Sequence, residues 1–345
     1  MIENKSSIKG LPTVSILVLT YNSVTDLKEC LDSLLRIEYP PENYEILIVD
    51  NCSKDDTVQF VNNNYPQVKT IVLDANYGFA KGNNLGACHA TGEYIAFLNP
   101  DTKVERDWLI ELVNGINLAE GIVAVGSKVL FFDDPKIVQV AGSKMCLNGN
   151  GLNIGYGMQE VEAYNVKRYI LAPPGCSMLV AKDVFFELGG FDPDFFMYVE
   201  EFDFGYRLWL HGYKAIFMPS SVVYHRMGDM NKFKISPLLL YNEEKNCRIT
   251  MIKNFEVKNV IIGFTVRNIY TLIQLSKCFV KREYSCVSAM IQGNIDFFLT
   301  FKFSLSKRRE IQQKRRVSDK DMFKQGLISS LHESILEYNR TKAFR

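Results

Sequence analysis

Between Thr13 and Phe132 the chain alternates short, uninterrupted apolar runs with segments whose apolar residues recur at helical spacing. Residues 14–19 (VSILVL), 44–49 (YEILIV), 68–73 (VKTIVL) and 94–98 (YIAFL) read as strands, with a fifth inside 122–132. Between them, 25–37 places Leu27, Leu31, Leu34 and Leu35 on one helical face, and 55–61, 79–90 and 106–116 also read as helices. Strands with no polar alternation must be covered on both faces, so this rhythm predicts a mostly parallel sheet between two helical layers. On such sheets, ligands bind outside the carboxyl ends of the strands.

After Phe132 the rhythm changes. Residues 137–170 are rich in Gly and Asn and suggest turns with short strands, and 173–175 (PPG) a loop. A strand at 177–180, a helix at 182–188 stopped by Gly189-Gly190, a helix at 200–211 and strands at 214–218 and 222–224 follow. A boundary is expected near residue 230. The tail, 231–345, reads as helical and amphipathic, with its most apolar run (260–275) broken by Arg267, Asn268 and Gln274. It carries 22 Lys and Arg against 10 Asp and Glu, which leaves 18 against 29 in the first 230 residues. An acidic body suits a bound cation, and a basic tail suits a phosphate-rich surface such as the cytoplasmic membrane face. The Phe-rich stretch 291–305, followed by Lys307-Arg308-Arg309 and Lys314-Arg315-Arg316, suggests a helix in the membrane interface; ordinary packing against the body is the competing reading. A net charge of +1 gives no support to nucleic-acid binding. Eight cysteines include no C-x-x-C pair, and most sit in apolar runs and read as buried thiols of a reducing compartment. The first 13 residues do not resemble a signal peptide, and no run suits a transmembrane helix.

The unusual residues cluster at the strand ends. Thr20-Tyr21-Asn22 closes the first strand and Asp50-Asn51-Cys52-Ser53 the second, a polar shelf on which Asp50 could accept from the imide N–H of uracil or thymine. Ser53 reads as a helix cap. Gly78, Gly82 and Gly86 share one helical face, which implies that a strand or ligand packs very close. Asn76 and Lys81 beside them could reach a nucleotide's phosphates or base, although Lys81 reads equally as a solvated lysine. Neither G-x-G-x-x-G nor a P-loop is present. Asn99-Pro100-Asp101 leaves a buried strand at the carboxyl edge, where a hard cation bridging a pyrophosphate needs a carboxylate. Glu200, Glu201 and Asp203 open a helix after several aromatics; crowding and apolar lining raise carboxylate pKa values and suit a general base. Asp203 reads as the partner of Arg207. His225 ends the last strand and could complete a metal site or simply be packed.

The ordered set TYN (20–22), VDNCSKDDT (49–57), NYGFAKGNNLG (76–86), FLNPDT (97–102), GGFDPDFFMYVEEFD (189–203) and VVYHRMG (222–228) resembles glycosyltransferase family 2, particularly its rhamnosyltransferase-like branch. The resemblance covers roughly 13–230, and 241–255 resembles a segment that follows the catalytic part in relatives. It implies a GT-A fold and transfer of a sugar from a nucleoside-diphosphate donor to an acceptor hydroxyl, usually with inversion. By the same resemblance Thr20, Asn22 and Asp50 fall where the nucleoside is held, and Asp101 on the last position of the D-x-D metal motif. The first position of that motif is Asn99, whose neutral oxygen leaves two alternatives: weaker metal binding, or binding that rests on Asp101 and His225. The catalytic acidic pair falls on Glu200-Glu201, with Glu201 at the base position; which of the two points at the acceptor stays open.

The expectation is therefore an α/β GT-A domain over 13–230 with a helical extension over 231–345. It would be an inverting transferase using a UDP- or dTDP-sugar, dTDP-rhamnose among them, with Mn²⁺ or Mg²⁺. The acceptor would be a glycan or lipid-linked glycan in polysaccharide or glycolipid synthesis, reached from the cytoplasm at the inner face of the cell membrane through peripheral contact by the tail. The alternatives are a nucleotidyltransferase, weakened by the glycine-free TYNSVTD after the first strand, and a non-catalytic carbohydrate-binding protein of the same fold.

Overall fold

A computed structural model describes residues 10–226, 236–330 and 332–333. The expected boundary near 230, and Met227-Gly228 of the last motif, lie outside the described residues. The amino-terminal part runs β1 (Val14–Thr20), α1 (Val24–Leu34), β2 (Tyr44–Asp50), α2 (Thr57–Asn64), β3 (Lys69–Val72), α3 (Gly78–Ala87), β4 (Tyr94–Leu98), β5 (Thr102–Val104), α4 (Trp108–Ile116) and β6 (Ile122–Phe131). Strands β3-β2-β1-β4 are parallel neighbours in that order. Along β1, Ile16 and Val18 join Leu27 and Leu31 of α1 and Trp108 of α4 in one core. Leu17 joins Ala80 and Ala87 of α3 in the other. That two-sided burial is why the strands read as unbroken apolar runs.

The next elements are β7 (Ile137–Val140), β8 (Ser143–Cys146), β9 (Gly151–Asn153), β10 (Met158–Gln159), β11 (Arg168–Tyr169), β12 (Ser177–Ala181), α5 (Lys182–Glu187), α6 (Glu200–Leu210) and β13 (Lys214–His225). β12 inserts between β4 and β6, antiparallel to both, so the sheet is mixed beyond β4. β13 runs parallel to β6, and its end turns onto β5 with His225 opposite Thr102. This register delivers His225 to the loop that carries Asp101.

The tail comprises α7 (Pro237–Asn254), α8 (Val257–Val280), α9 (Tyr284–Gln313), α10 (Asp319–Lys324) and β14 (Ile328–Ser329), which pairs with β8 of the body. The tail's basic clusters do not form one solvated face. Arg308 donates to the carbonyls of Ile252 (2.6 Å) and Phe255 (2.7 Å), and Gln312 to those of Lys253 (2.9 Å) and Asn254 (3.0 Å). Arg315 also donates to the Asn254 carbonyl. These groups satisfy the last carbonyls of α7, which have no partner within the helix.

Gly82 and Gly86 of α3 meet the strands, as their spacing implies, whereas Gly78, with φ of 73°, meets Phe196 in the segment before α6. A Cβ at Gly86 would lie 2.5 Å from Cγ2 of Val49 and 2.9 Å from Cδ1 of Leu17. Alanine gains about 1 kcal/mol of helix propensity over glycine. Overpacking a filled core costs roughly 1–3 kcal/mol, so the clash should win. Gly86→Ala is expected to lower stability in urea unfolding, and a gain would show that the helix–sheet contact yields easily.

Candidate active site

Strands β1 and β2 end side by side with Thr20 opposite Asp50. Both side chains are buried. Asp50 Oδ2 accepts from the Ser53 amide at 2.9 Å, whereas Asp50 Oδ1 and Thr20 Oγ1 meet no polar partner within the protein. A buried polar atom left without a partner costs about 1–3 kcal/mol, so this shelf suits an incoming donor such as a pyrimidine imide. Ser53 is not a helix cap. Its hydroxyl accepts from the Asn22 amide (2.8 Å), while Asn22 Oδ1 accepts from the Lys54 amide (2.7 Å), which clasps the two strand ends together. Asp56 occupies the cap position of α2.

Asn76 Oδ1 accepts from Asn51 Nδ2 (2.9 Å) and from the Gly78 amide (3.0 Å), so its carbonyl builds the turn into α3. The Lys81 ammonium stands 4.0 Å above the Tyr77 ring, a cation–π contact at the rim.

Asn99, Asp101 and His225 come together. His225 Nε2 lies 3.2 Å from Asp101 Oδ1 and 3.4 Å from Asn99 Nδ2. Its Nδ1 lies 2.6 Å from Gln139 Oε1; that oxygen can only accept, so Nδ1 carries a proton and Nε2 faces the carboxylate. Burial works against charge on this imidazole, but Cys176 and Asp101 outweigh it and push the pKa up to about 10. Two cis ligands at about 2.1 Å from a small hard cation stand about 3 Å apart, so Asp101 and His225, once a cation displaces the Nε2 proton, fit as two of its six ligands. No group of three or more His, Cys, Asp or Glu suited to a metal occurs among the described residues. The remaining positions would fall to phosphate oxygens and water.

The acidic trio opens α6, where the helix dipole favours negative charge. The preceding Tyr198 and Val199 have φ of 70° and 75°, which is strained for side chains of this size. Asn246 of α7 holds them by donating to the carbonyls of Met197 (3.1 Å) and Tyr198 (2.8 Å). Glu200 is buried, and desolvation together with the Glu201 charge raises its pKa well above the carboxylate range. Glu201 is only partly buried by its surroundings, and desolvation pushes it up to about 7. Asp203 is structural: it pairs with Arg207 (2.9 Å) and Lys253 (2.8 Å) and accepts from Asn254 (2.8 Å). Lys253 also pairs with Asp192.

The loop before β12 joins the acids to the Asp101–His225 pair. A Cβ at Gly175 would lie 3.7 Å from the Glu201 carboxyl carbon, and the next residue, Cys176, interacts with His225 and accepts at its carbonyl from the Asn99 amide (3.1 Å). Four of the five non-glycine residues with positive φ among the described residues, Asn22, Cys52, Tyr198 and Val199, flank the strand ends or lead into α6. Such strain persists where the surroundings enforce it, often at functional sites. Sequence reading passed over Gln139, Cys176, Asn246 and Lys253; a lone glutamine in the apolar run IVQV was the one visible signal.

The architecture is a GT-A fold, shared with residues 1–349 of Staphylococcus aureus TarS solved with UDP-GlcNAc (TM-score 0.55, 19% identity, 91% of this chain and 92% of that one). It is also shared with GalNAc-T7 solved with UDP, GalNAc and Mn²⁺ (TM-score 0.57, 19% identity, 70% and 48%). Residues 15–160 match the model of glycosyl transferase family 2. Curated relatives include glycosyltransferase AglE of Haloferax volcanii, 31% identical over 124 residues, 35% of this chain and 40% of that protein. Another is the N-acetylglucosaminyl-diphospho-decaprenol L-rhamnosyltransferase of Mycobacterium tuberculosis, 27% identical over 240 residues, 62% of this chain and 75% of that protein. The chain spans 40% of AglE and 17% of the Myxococcus xanthus O-antigen biosynthesis protein RfbC.

Removing one partner of a buried ion pair costs about 3–5 kcal/mol, because a charge is left stranded. Lys253→Met should therefore destabilise the chain by that order in chemical denaturation. A change near zero would mean that Asp192 and Asp203 do not depend on this cation.

Proposed function

We propose that the chain transfers a sugar, with inversion, from a nucleoside-diphosphate donor to an acceptor hydroxyl in polysaccharide or glycolipid synthesis. The convergence of Asp101, His225 and Glu201 around the Gly175-Cys176 loop carries this reading. The catalytic domain is taken as 13–230 and the accessory region as 231–345. Thr20, Asn22 and Asp50 would hold the nucleoside, and Asp50 Oδ1 and Thr20 Oγ1 suit the imide edge that uracil and thymine share. A UDP- or dTDP-sugar, dTDP-rhamnose among them, meets that requirement. Asn76, Lys81 and Asn99 would line the diphosphate side.

A divalent cation, Mn²⁺ or Mg²⁺, held by Asp101 and His225 would supply positive charge against the departing diphosphate. Gln139 keeps the imidazole oriented for that task. Glu201 is the better base of the acidic pair. It ionises near neutrality and reaches the loop, whereas Glu200 is buried, with its pKa raised well above the carboxylate range by desolvation and the Glu201 charge. Glu201 would take the proton of the acceptor hydroxyl as its oxygen attacks the anomeric carbon from the face opposite the diphosphate. The acceptor would be a glycan or lipid-linked glycan, presented at the inner face of the cell membrane and met by the region 231–345.

A base that must lose its proton gives activity that rises with pH through about 7 and then levels. Glu201→Gln should lower turnover by roughly 10²–10⁴-fold while donor binding survives. Near-normal turnover by that variant would reject the assignment. Asp101→Ala should abolish the difference between donor titrations with Mn²⁺ and with EDTA; a difference equal to that of the unaltered chain would remove Asp101 from the metal site.

A further inference from the structure

Fifteen of the 28 large apolar side chains exposed among the described residues lie on α8 and α9. Val280 is 81% exposed, Leu299 73%, Phe298 70% and Phe303 69%. Their placement follows from how the two helices pack. α7 lies beneath both: Arg267 of α8 reaches Glu244 at 2.7 Å, and Gly293 of α9 abuts the Tyr241 carbonyl. The inward positions are small or polar at Gly263, Arg267, Thr271, Gly293 and Ser304 and apolar at Met290 and Phe297, while the exposed apolar residues are left on the side turned away from α7. At 1.5 Å per residue the two helices are about 36 and 45 Å long. Exposed apolar residues recur along α8 from Val257 to Val280 and along α9 from Tyr284 to Leu305, a concentration that marks an interaction site.

We propose that the outward face of the α8–α9 hairpin docks flat on an anionic lipid surface, with the apical Phe279-Val280 turn dipping into the headgroup boundary. This deepens the membrane contact of the proposed function and names the surface that makes it. Charge selects the occupant. Lys258, Lys281, Arg282, Lys302 and Arg309 are exposed on or beside these helices, against exposed Glu283 and Glu310. A second copy of the chain would set those cations against themselves, whereas anionic headgroups complement them. No helix among the described residues is long and apolar enough to cross a membrane, so the hairpin lies on the surface. The arrangement differs from the sequence expectation in one respect: of the two basic clusters, Arg308 and Arg315 serve α7, while Arg309 remains exposed.

Co-sedimentation of the full chain with vesicles tests this. Vesicles of phosphatidylcholine containing roughly one-third phosphatidylglycerol should bind it about tenfold or more tightly than phosphatidylcholine alone, and high salt should weaken the binding. The double variant Phe298→Ser, Leu299→Ser should lose about tenfold or more of that binding, while Val161→Ser with Val166→Ser, also exposed, should lose none. Absence of binding, or equal binding by the unaltered chain and the α9 variant, would overturn the proposal. So would a lipid-free dimer that the α9 variant converts to monomer, because a second copy would then cover the face. UDP titration of the same samples reads the donor site independently, so the two readings fail separately.

Discussion

The arrangement depends on a buried ammonium. Lys253 of α7 lies between Asp192, which precedes α6, and Asp203, within it. Ionised groups can share a dry interior only if they neutralise one another, and Arg207, Lys307 and Asp194 complete the balance at three cations to three carboxylates. The lattice fixes α6 by its first turn. Asn246, two turns earlier on the same helix as Lys253, clamps the strained residues ahead of Glu200. The tail helices are thus part of the mounting for the acidic pair, and the tail's own basic residues close the carbonyl end of α7 that carries the lattice.

A second constraint is strand register. The turn of β13 onto β5 places His225 opposite Thr102 and so beside Asp101. These residues are separated by more than a hundred positions in the chain, and only the pairing of the sheet makes them neighbours. Gln139 on β7 reaches His225 through the same sheet, because β7 and β13 both flank β6. The proximity of Asp101 and His225 is a consequence of sheet order.

Much of the fold was legible because two-sided burial leaves an unmistakable trace. Unbroken apolar strands and helical periodicity located β1, β2, β4 and α1 closely. The antiparallel insertion of β12 was not legible, since the run Ser177–Ala181 specifies a buried strand but not its direction. At the site, residues at strand ends could be picked out by type and position. Ser53 was misread because a serine before a helix has two local uses, and only the neighbouring strand decides between them. Asn246 and Lys253 were invisible for a related reason. Inside a helical pattern they look like ordinary polar positions, and their roles come from residues some fifty positions away.

The central claim is that the ends of β1 and β2 and the Asp101–His225 pair face one nucleotide. Calorimetric titration of UDP into the chain and into Asp50→Ala, each with Mn²⁺, tests it most directly. Asp50→Ala should weaken UDP binding by about tenfold or more, the size of one charge-assisted hydrogen bond, and leave pyrophosphate binding unchanged. Equal UDP affinity for both proteins would contradict it.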